Sequence, residues 1–518
     1  MQLAAFGGRW RLGPDSSVYV SLGRNLAGGL GYHTSGWGWS KVHIGLPLLL
    51  AANFKLFGPN VFWPVSLVIL AMGIATQVFV YRLFAFHGTR AEAVMASLLL
   101  GISFTFTQFL YELLTDIPAF LGIAMSLTAF EMLFEQPSSL ASQAPGKSPR
   151  KRLVWTAILI VGLFLAIIMR PANWALLMAM AAVCFWRYAH RLRYRWKMIA
   201  VGGLFIVAVC LMQRRWPFLS EYFMWLERWL HNAVTSAPSG RIPRKSWLHA
   251  LNLASGKSPL QAYFTSDWGA VVSNVVAVPL LATAFWACRR RALWMIWLAA
   301  TLLMLLIYPQ HQPRYYLPIL PFLALGYWRM AGAIGRYSKR WLAAAGLAIT
   351  LAVWTVPNVW CLGLLACWQH ARPFLSHVEY GRYVPFQEMA GIVRDRLPPN
   401  STVISPDSLA LEAFAWPRRF VMPIDGELPH DLQPRLRSLA HAGLLYAVDS
   451  HGADLNTILK QAGLMEGPSI AVVRRPAWDL PDPPQSWFST EQPSNLPPLV
   501  LRQIQLIAKS GQGVRRSP

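Results

Sequence analysis

The chain is dominated by apolar blocks close to twenty residues long, separated by shorter polar stretches. A helix of about twenty residues spans the hydrocarbon core of a bilayer, so each block predicts a membrane-spanning helix. About ten such blocks follow one another, which predicts a polytopic, mainly α-helical membrane bundle. The expected limits are 61–81, 91–111, 117–134, 153–169, 172–187, 197–213, 270–288, 292–308, 315–333 and 341–365.

Residues 13–33 carry a different pattern ahead of the first block. Asp15 and the two serines after it are a good helix start, since their side chains accept hydrogen bonds from the free N–H groups of a first turn. Val18, Leu22 and Leu26 then recur at four-residue spacing. This spacing predicts a short helix with one apolar face, able to lie against a bilayer or a bundle and ended by the glycines that follow it.

A second short segment, 46–58, is apolar but too short to span a bilayer, so it predicts an interfacial helix. The loop between the two segments, 28–45, contains Trp37 and Trp39, which are typical anchors at a membrane interface. Together the two helices and the loop predict a groove at the lipid–water boundary.

Composition changes after residue 366. Helical stretches alternate there with short β-type runs, which predicts a small α/β unit with a parallel sheet over 366–475. The helical stretches are 386–397, 431–441 and 453–463, and the β-type runs are 402–405, 419–422, 444–448 and 470–473. The proline-rich, basic text of 476–518 predicts a flexible tail.

Composition and charge agree with a membrane protein. The chain is 55% hydrophobic and 14% charged, with a formal net charge of +24. Basic residues cluster between apolar blocks, where they are topology signals, so nucleic acid is not an expected partner. The five cysteines lie in or beside apolar segments without metal-ligand spacing, which indicates packing roles.

The basic clusters predict the orientation of the bundle. With ten spans they all fall on one side, which the positive-inside rule makes cytoplasmic. The opposite, outer face then carries 1–60, 112–116, Arg170, 214–269, 309–314 and everything after 366. A chain that starts outside without a preceding span needs either translocation of its N-terminus by the first helix or an earlier membrane helix ahead of residue 1, and the earlier helix is the favoured expectation. The expected domains are 1–60, the bundle 61–365 with its outer loop 214–269, the unit 366–475 and the tail 476–518.

Four motifs resemble the GT-C glycosyltransferases, in particular the protein O-mannosyltransferase and aminoarabinose transferase group (glycosyltransferase family 39-like). The first two, Pro-Asp-Ser-x-x-Tyr-x-x-Leu-x-Arg-Asn-Leu-Ala over 14–27 and Leu-Pro-Leu-Leu-Leu over 46–50, resemble the first outer loop of that group. Leu-Thr-Asp-Ile-Pro over 114–118 resembles its second acidic position, and Arg-Tyr-Tyr-Leu-Pro over 314–318 resembles a late helix start. The resemblance implies a multi-span enzyme that uses polyprenyl-phosphate sugars.

Transfer from a sugar phosphate needs a base for the acceptor hydroxyl and cations for the departing phosphate. The resemblance implies that the first-loop aspartate, Asp15, is the base. Asp116 can orient the acceptor or Asp15, although Asp-Ile-Pro is also an ordinary helix N-cap with an early proline. Lys41 and Arg314 are the leading candidates for donor phosphate, and Arg170 is a further one, with membrane anchoring as the alternative for both arginines.

Further residues of lower rank complete the expected site. His43, His33, Tyr19 and Tyr315 are expected to line it. No cofactor is required by the pattern. A divalent metal ion is left open, with Asp15 and Asp116 as its ligands.

The sequence thus predicts a membrane glycosyltransferase on the outer face of the cytoplasmic membrane. It would move one sugar from a polyprenyl-phosphate donor to a hydroxyl acceptor on a glycan, lipid or protein, with inversion at the anomeric carbon. A lipid-linked saccharide ligase or polymerase is one alternative. A transporter or flippase is the other, although that class places charged residues at mid-membrane and has internal repeats, and neither is visible here.

Overall fold

A computed structural model describes the chain in segments. These are 14–33, 43–134, 149–188, 281–307, 313–337, isolated positions between 341 and 363, 377–405, 408–416, 418–421, 428, 432–449, 455–473 and 498–507. The expected span 197–213, the loop 214–269 and most of spans 270–288 and 341–365 lie outside them. The chain forms two compact units: Met1–Trp10, Ser40–Leu49 and Val61–Pro373 make the first, and Arg11–Trp39, Leu50–Asn60 and Phe374–Pro518 make the second.

Helices account for most of the described residues. In chain order they are α1 Pro14–Ala27, α2 Gly45–Phe57, α3 Trp63–His87, α4 Arg90–Gly101, α5 Phe104–Phe109, α6 Asp116–Phe134, α7 Pro149–Met169, α8 Trp174–Tyr188, α9 Ala292–Ile307, α10 Leu320–Tyr337, α11 His377–Arg396, α12 Ser408–Ala415, α13 Gln433–His441 and α14 Leu455–Gln461. Two 3-10 segments, Pro171–Asn173 and Pro313–Ile319, precede α8 and α10.

Among the described residues, three helices are long and apolar enough to cross a membrane: α3, α6 and α7. Shorter apolar helices occupy Gly45–Phe57, Trp174–Arg187 and Ala292–Met304. These confirm helices at six of the expected apolar segments, including the interfacial one. The total number of spans stays a prediction.

The expected span 91–111 is wrong as a single helix, because it breaks between α4 and α5. Ser103 leaves the helical region with φ −61° and ψ 122°. The backbone N–H of Phe104 then donates to the side-chain oxygen of buried Asn358 at 2.7 Å, which satisfies the start of α5 from outside the segment. The Thr107 hydroxyl donates to the Gly101 carbonyl and closes the break.

Small residues let α6 and α7 pack closely in the first unit. A Cβ atom at Gly122 would overlap the backbone of Gly162 and Ala166, and one at Gly162 would meet the side chain of Ser126 at 2.7 Å. Glycine at these positions therefore allows close backbone approach, the usual device at helix contacts in membranes. The close packing sets the position of the residues at the ends of both helices.

Helix α1 differs from the expected amphipathic helix. Within 15–27, residues on all sides of the helix are buried, including Ser17, Ser21, Arg24 and Asn25, whereas Asp15 is exposed and the last two residues are half-buried. The expected single apolar face is therefore too simple, because α1 packs inside the second unit. The glycine ending is confirmed: Gly29 has φ +72°, and the N–H of Leu30 donates to the Asn25 carbonyl at 2.8 Å.

The C-terminal sheet has five strands in the order β2-β1-β3-β5-β4. They are β1 Thr402–Ile404, β2 Arg419–Val421, β3 Leu445–Asp449, β4 Leu464–Val473 and β5 Leu499–Leu506. β1 pairs in parallel with β2 and β3, but β5 runs antiparallel to β3 and β4. The sheet is therefore mixed, which corrects the expected parallel sheet.

Strand β5 also corrects the expected flexible tail. It lies between β3 and β4, and Leu499, Leu501 and Ile504 are buried in or beside the core of the unit. The proline-rich composition of 476–518 led to the prediction of a flexible tail. The segment nevertheless contains the run Leu-Val-Leu-Arg-Gln-Ile-Gln-Leu, which is long enough to form a strand.

Candidate active site

Asp116 is the first residue of α6 and is 4% exposed. Among the described residues, no donor forms a hydrogen bond of good geometry to either carboxylate oxygen. The side chain therefore does not cap its own helix, which removes the N-cap alternative. A buried carboxylate without hydrogen-bond donors is costly unless a charge compensates it.

Arg170 supplies that charge. Its Nη1 atom lies 2.9 Å from Asp116 Oδ1, and its side chain is 21% exposed. Arg170 follows the last residue of α7, where its carbonyl accepts from the Asn173 N–H at 3.0 Å. The Asn173 side chain in turn donates to the Ala166 carbonyl at 2.9 Å, which caps the end of α7 and fixes the turn that carries Arg170.

Tyr315 joins Arg170 to a second arginine. The Arg170 guanidinium lies 4.6 Å from the centre of the Tyr315 ring, and the Arg314 guanidinium lies 5.2 Å from the same centre. Arg314 Nη2 also lies 3.5 Å from the Tyr315 hydroxyl. Both residues belong to the 3-10 segment Pro313–Ile319 ahead of α10, so the rigid turn presents them together.

The four residues Asp116, Arg170, Arg314 and Tyr315 form what we call the acid–arginine cluster. Two guanidiniums against one carboxylate leave an excess of positive charge. Planar guanidiniums bind phosphate through paired N–H donors, and stacking on an aromatic ring holds them in a fixed orientation. The cluster can therefore bind a phosphate group while keeping a carboxylate beside it.

The expected residues of the second unit lie in and after α1. Asp15 is exposed in the first turn of α1, whereas Tyr19 is 7% exposed. Burial, together with nearby Tyr19, raises the pKa of Tyr32 above its usual range. His33 is exposed, and its backbone carbonyl accepts from Asn25 at 2.6 Å.

The structure brings together four of the expected site residues, namely the acid–arginine cluster. His43 belongs to the first unit and is half-buried, and Lys41 lies outside the described residues. Asp15, Tyr19 and His33 belong to the second unit. That Asp15 and Asp116 share one site stays a prediction.

Sequence reasoning missed two pairs of basic and acidic side chains. His87 and Glu131 pair at 2.9 Å, and Arg329 forms hydrogen bonds of 3.0 and 3.3 Å to Glu92. The signal was present in the sequence, because Glu131 stands within the apolar block 117–134 and Arg329 within 315–333. An ionisable residue inside a membrane block calls for a partner by default.

No group of three or more His, Cys, Asp or Glu side chains that could hold a metal ion occurs in the described part of the chain. Asp116 is engaged by Arg170, an arrangement that fits an anion better than a cation. We assign no step to a metal.

The chain has, in its described part, three helices that are long and apolar enough to cross a membrane, as its apolar blocks predicted. No protein-family model and no curated protein sequence matches it.

The chain is similar in structure to two solved proteins, among others. ArnT from Cupriavidus metallidurans bound to undecaprenyl phosphate has a TM-score of 0.56 at 14% identity, over 97% of this chain and 95% of ArnT. The Archaeoglobus fulgidus oligosaccharyltransferase in its apo form has a TM-score of 0.51 at 13% identity, over 86% of this chain and 69% of its own. The same oligosaccharyltransferase tethered to an acceptor peptide with an NVT sequon has a TM-score of 0.52. At identities this low, the structural likeness shows that the chain shares the fold of these proteins, as its motifs predicted.

Proposed function

We propose that the protein is a membrane glycosyltransferase that moves a sugar from a polyprenyl-phosphate donor to a hydroxyl acceptor. The acid–arginine cluster is the observation that carries this proposal: two guanidiniums share the Tyr315 ring within 5.2 Å of its centre, beside a buried carboxylate. The fold supports it, because ArnT with this fold was solved with undecaprenyl phosphate and the archaeal oligosaccharyltransferase with an acceptor peptide.

The two arginines would hold the donor phosphate. Arg170 and Arg314 both place their guanidiniums close to the Tyr315 ring, and Lys41 would add a third cation from the first outer loop. These groups stabilise the charge that the phosphate gains as the glycosidic bond breaks. Because that charge is greatest in the transition state and product, the arginines would act mainly on kcat.

Asp15 would act as general base. Its carboxylate takes the proton of the acceptor hydroxyl, whose oxygen forms the new bond to the anomeric carbon. The bond from that carbon to the phosphate oxygen breaks, and its electron pair leaves with the polyprenyl phosphate. Attack from the face opposite the phosphate inverts the anomeric carbon. Asp116 would orient the acceptor or Asp15 beside the phosphate-binding arginines.

The positive-inside pattern supports an active site on the outer face of the cytoplasmic membrane. The donor would enter from the bilayer with its prenyl chain in the lipid. The acceptor would be a hydroxyl group of a glycan, a lipid or a protein.

The test is transfer by the purified full-length protein in lipid bilayers, with polyprenyl-phosphate sugars as donors. We expect product with an inverted anomeric carbon from the wild type. Asp15→Asn keeps the size of the side chain but removes the base, so we expect kcat to fall by about 10²- to 10⁴-fold. Full turnover by Asp15→Asn would remove the assigned base, and absence of transfer from every polyprenyl-phosphate sugar would remove the reaction class.

A further inference from the structure

Helix α1 carries the proposed base at one end and a buried charge at the other. Asp15 is exposed in its first turn, whereas Arg24 in its last turn is 3% exposed. The two residues are about 14 Å apart along the helix. Arg24 Nε donates to the Pro59 carbonyl at 2.9 Å, and Nη2 donates to the Asn60 side chain at 3.0 Å.

The C-terminal α/β region contributes to the same end of α1 through α12 and the residue after it. Glu412 on α12 is 1% exposed and interacts electrostatically with Arg24. Trp416 Nε1 donates to the Asn25 side-chain oxygen at 3.3 Å. Burial lowers the pKa of Arg24 to about 10, an effect that Glu412 opposes, so the guanidinium is charged at neutral pH.

Helix α12 is itself fixed within the unit. Arg418, just after it, donates to the carbonyls of Arg394, Leu397 and Pro398 at 2.6, 2.9 and 2.8 Å. These carbonyls end α11, so one side chain ties the end of α12 to the end of α11. Glu412 and Trp416 therefore lie on a helix whose end is hydrogen-bonded to the end of α11.

We propose that Glu412 and Trp416 are positioning residues for sugar transfer, holding the Arg24–Asn25 end of α1 so that Asp15 keeps its place. This inference rests on the proposed function of Asp15. A tilt of α1 by about 5° at Arg24 moves Asp15 by about 1 Å. A misplacement of about 1 Å in a reacting group can cost about 100-fold in rate. The α/β region thus supports the chemistry through α1, in addition to any contact with the acceptor.

The first experiment measures kcat and KM of the full-length protein in bilayers. Glu412→Gln removes the charge, and Trp416→Phe removes the indole N–H donor. We expect each to lower kcat about tenfold, with the donor KM changed less than about twofold, because only the placement of the base is affected. Glu466→Gln is the matched control: it breaks the 3.2 Å pair with Arg502 in the sheet of the same unit and is expected to leave kcat within about twofold.

The second experiment separates positioning from general stability. In an Asp15→Asn background, Glu412→Gln should lower the residual rate by less than about twofold, because residues that act as one unit are not additive. Amide deuterium exchange over 14–27 should rise in Glu412→Gln and Trp416→Phe but not in Glu466→Gln.

Unchanged kcat and unchanged exchange in both variants would overturn the inference. An equal loss of rate in the Asp15→Asn background would also overturn it, because the effect would then not pass through Asp15. Exchange does not depend on turnover, so a protein without transfer activity would remove the proposed function while the exchange result still decides whether Glu412 and Trp416 hold α1.

Discussion

The two ends of α6 each carry a buried carboxylate with a basic side chain at 2.9 Å, yet they are built differently. At one end, Asp116 pairs with Arg170, whose side chain is 21% exposed, and Arg314 adds a second cation beside the same tyrosine. At the other end, about 22 Å away, Glu131 pairs with His87, which is 2% exposed.

Aromatic rings enclose the Glu131 end. The His87 ring contacts Phe86 and Trp294 edge to face, with ring centres 4.7 and 5.3 Å apart. Trp294 packs further on Phe84 and Phe322. Described aromatic residues thus surround this pair, whereas the Asp116 end has two arginines near one carboxylate, and one of these arginines is partly exposed. The comparison predicts that transfer depends on the Asp116 end, where a ligand can reach the arginines, and not on the enclosed Glu131 end.

Arg170→Gln is expected to have the largest effect on transfer, because it acts at the Asp116 end of α6, which we call the open end. It removes a phosphate donor, which should lower kcat by about 10³-fold, equivalent to about 4 kcal/mol of transition-state stabilisation. It also leaves Asp116 buried without its partner, so the melting temperature should fall. Steady-state transfer and thermal unfolding in detergent measure the two effects.

The double variant Asp116→Asn/Arg170→Gln is the control for this loss. Removing the buried charge should restore the melting temperature while transfer stays low. A variant Arg170→Gln with turnover within threefold of wild type would show that the open end is also only structural.

Glu131→Ala is expected to lower stability by about 3 kcal/mol, because it breaks an enclosed pair and leaves His87 without its partner. The rate per folded molecule should stay within about twofold of wild type, since this end takes no part in transfer. Thermal unfolding and transfer at a temperature where the variant is folded measure both. A loss of rate without a loss of stability would reverse the comparison.

The sequence predicted that Asp116, Arg170 and Arg314 lie on one face, and the structure places Arg170 beside Asp116 and both arginines near Tyr315. Asp116, Arg170 and Arg314 all stand at the ends of apolar blocks, where short turns hold them near the edge of the bundle. The expected ten-span topology therefore predicted these three charges on the same face of the bundle. The pair at the Glu131 end was missed. The sequence shows that Glu131 is an acidic residue within an apolar block, but it does not show that His87, 44 positions earlier, lies beside it.

Features that depend on distant residues could not be predicted. The break after α4 uses Asn358, which is 254 positions from Phe104, and α1 is held by Trp416, which is 391 positions from Asn25. Strand β5 is ordered by pairing with β3 and β4, against a proline-rich composition. In each case tertiary contacts override the local pattern.

Gly122→Val tests whether close packing of α6 on α7 keeps the open end together. The new side chain would overlap the backbone of Gly162 and Ala166, so the helices must separate. We expect stability to fall by about 2 kcal/mol, as for other overpacked contacts, and kcat to fall as Asp116 moves from Arg170. Gly332→Val on α10 is the control, because a Cβ atom there meets nothing within 4 Å. Loss of stability with full turnover would show that the ion pair does not depend on this packing.

Of the four substitutions, Arg314→Gln should have the smallest effect when each is expressed as a free energy. Arg314 contributes positive charge beside Tyr315, whereas the described ion pair of Asp116 is with Arg170. We expect transfer to fall about tenfold, equivalent to about 1.4 kcal/mol, with little change in the melting temperature. Arg314→Lys keeps the charge but loses the planar stacking on Tyr315, so it should recover part of the rate. If Lys and Gln are equally impaired, the ring-held orientation matters more than the charge. If neither is impaired, Arg314 is a membrane anchor, and the excess positive charge that separates the two ends of α6 has no role in transfer.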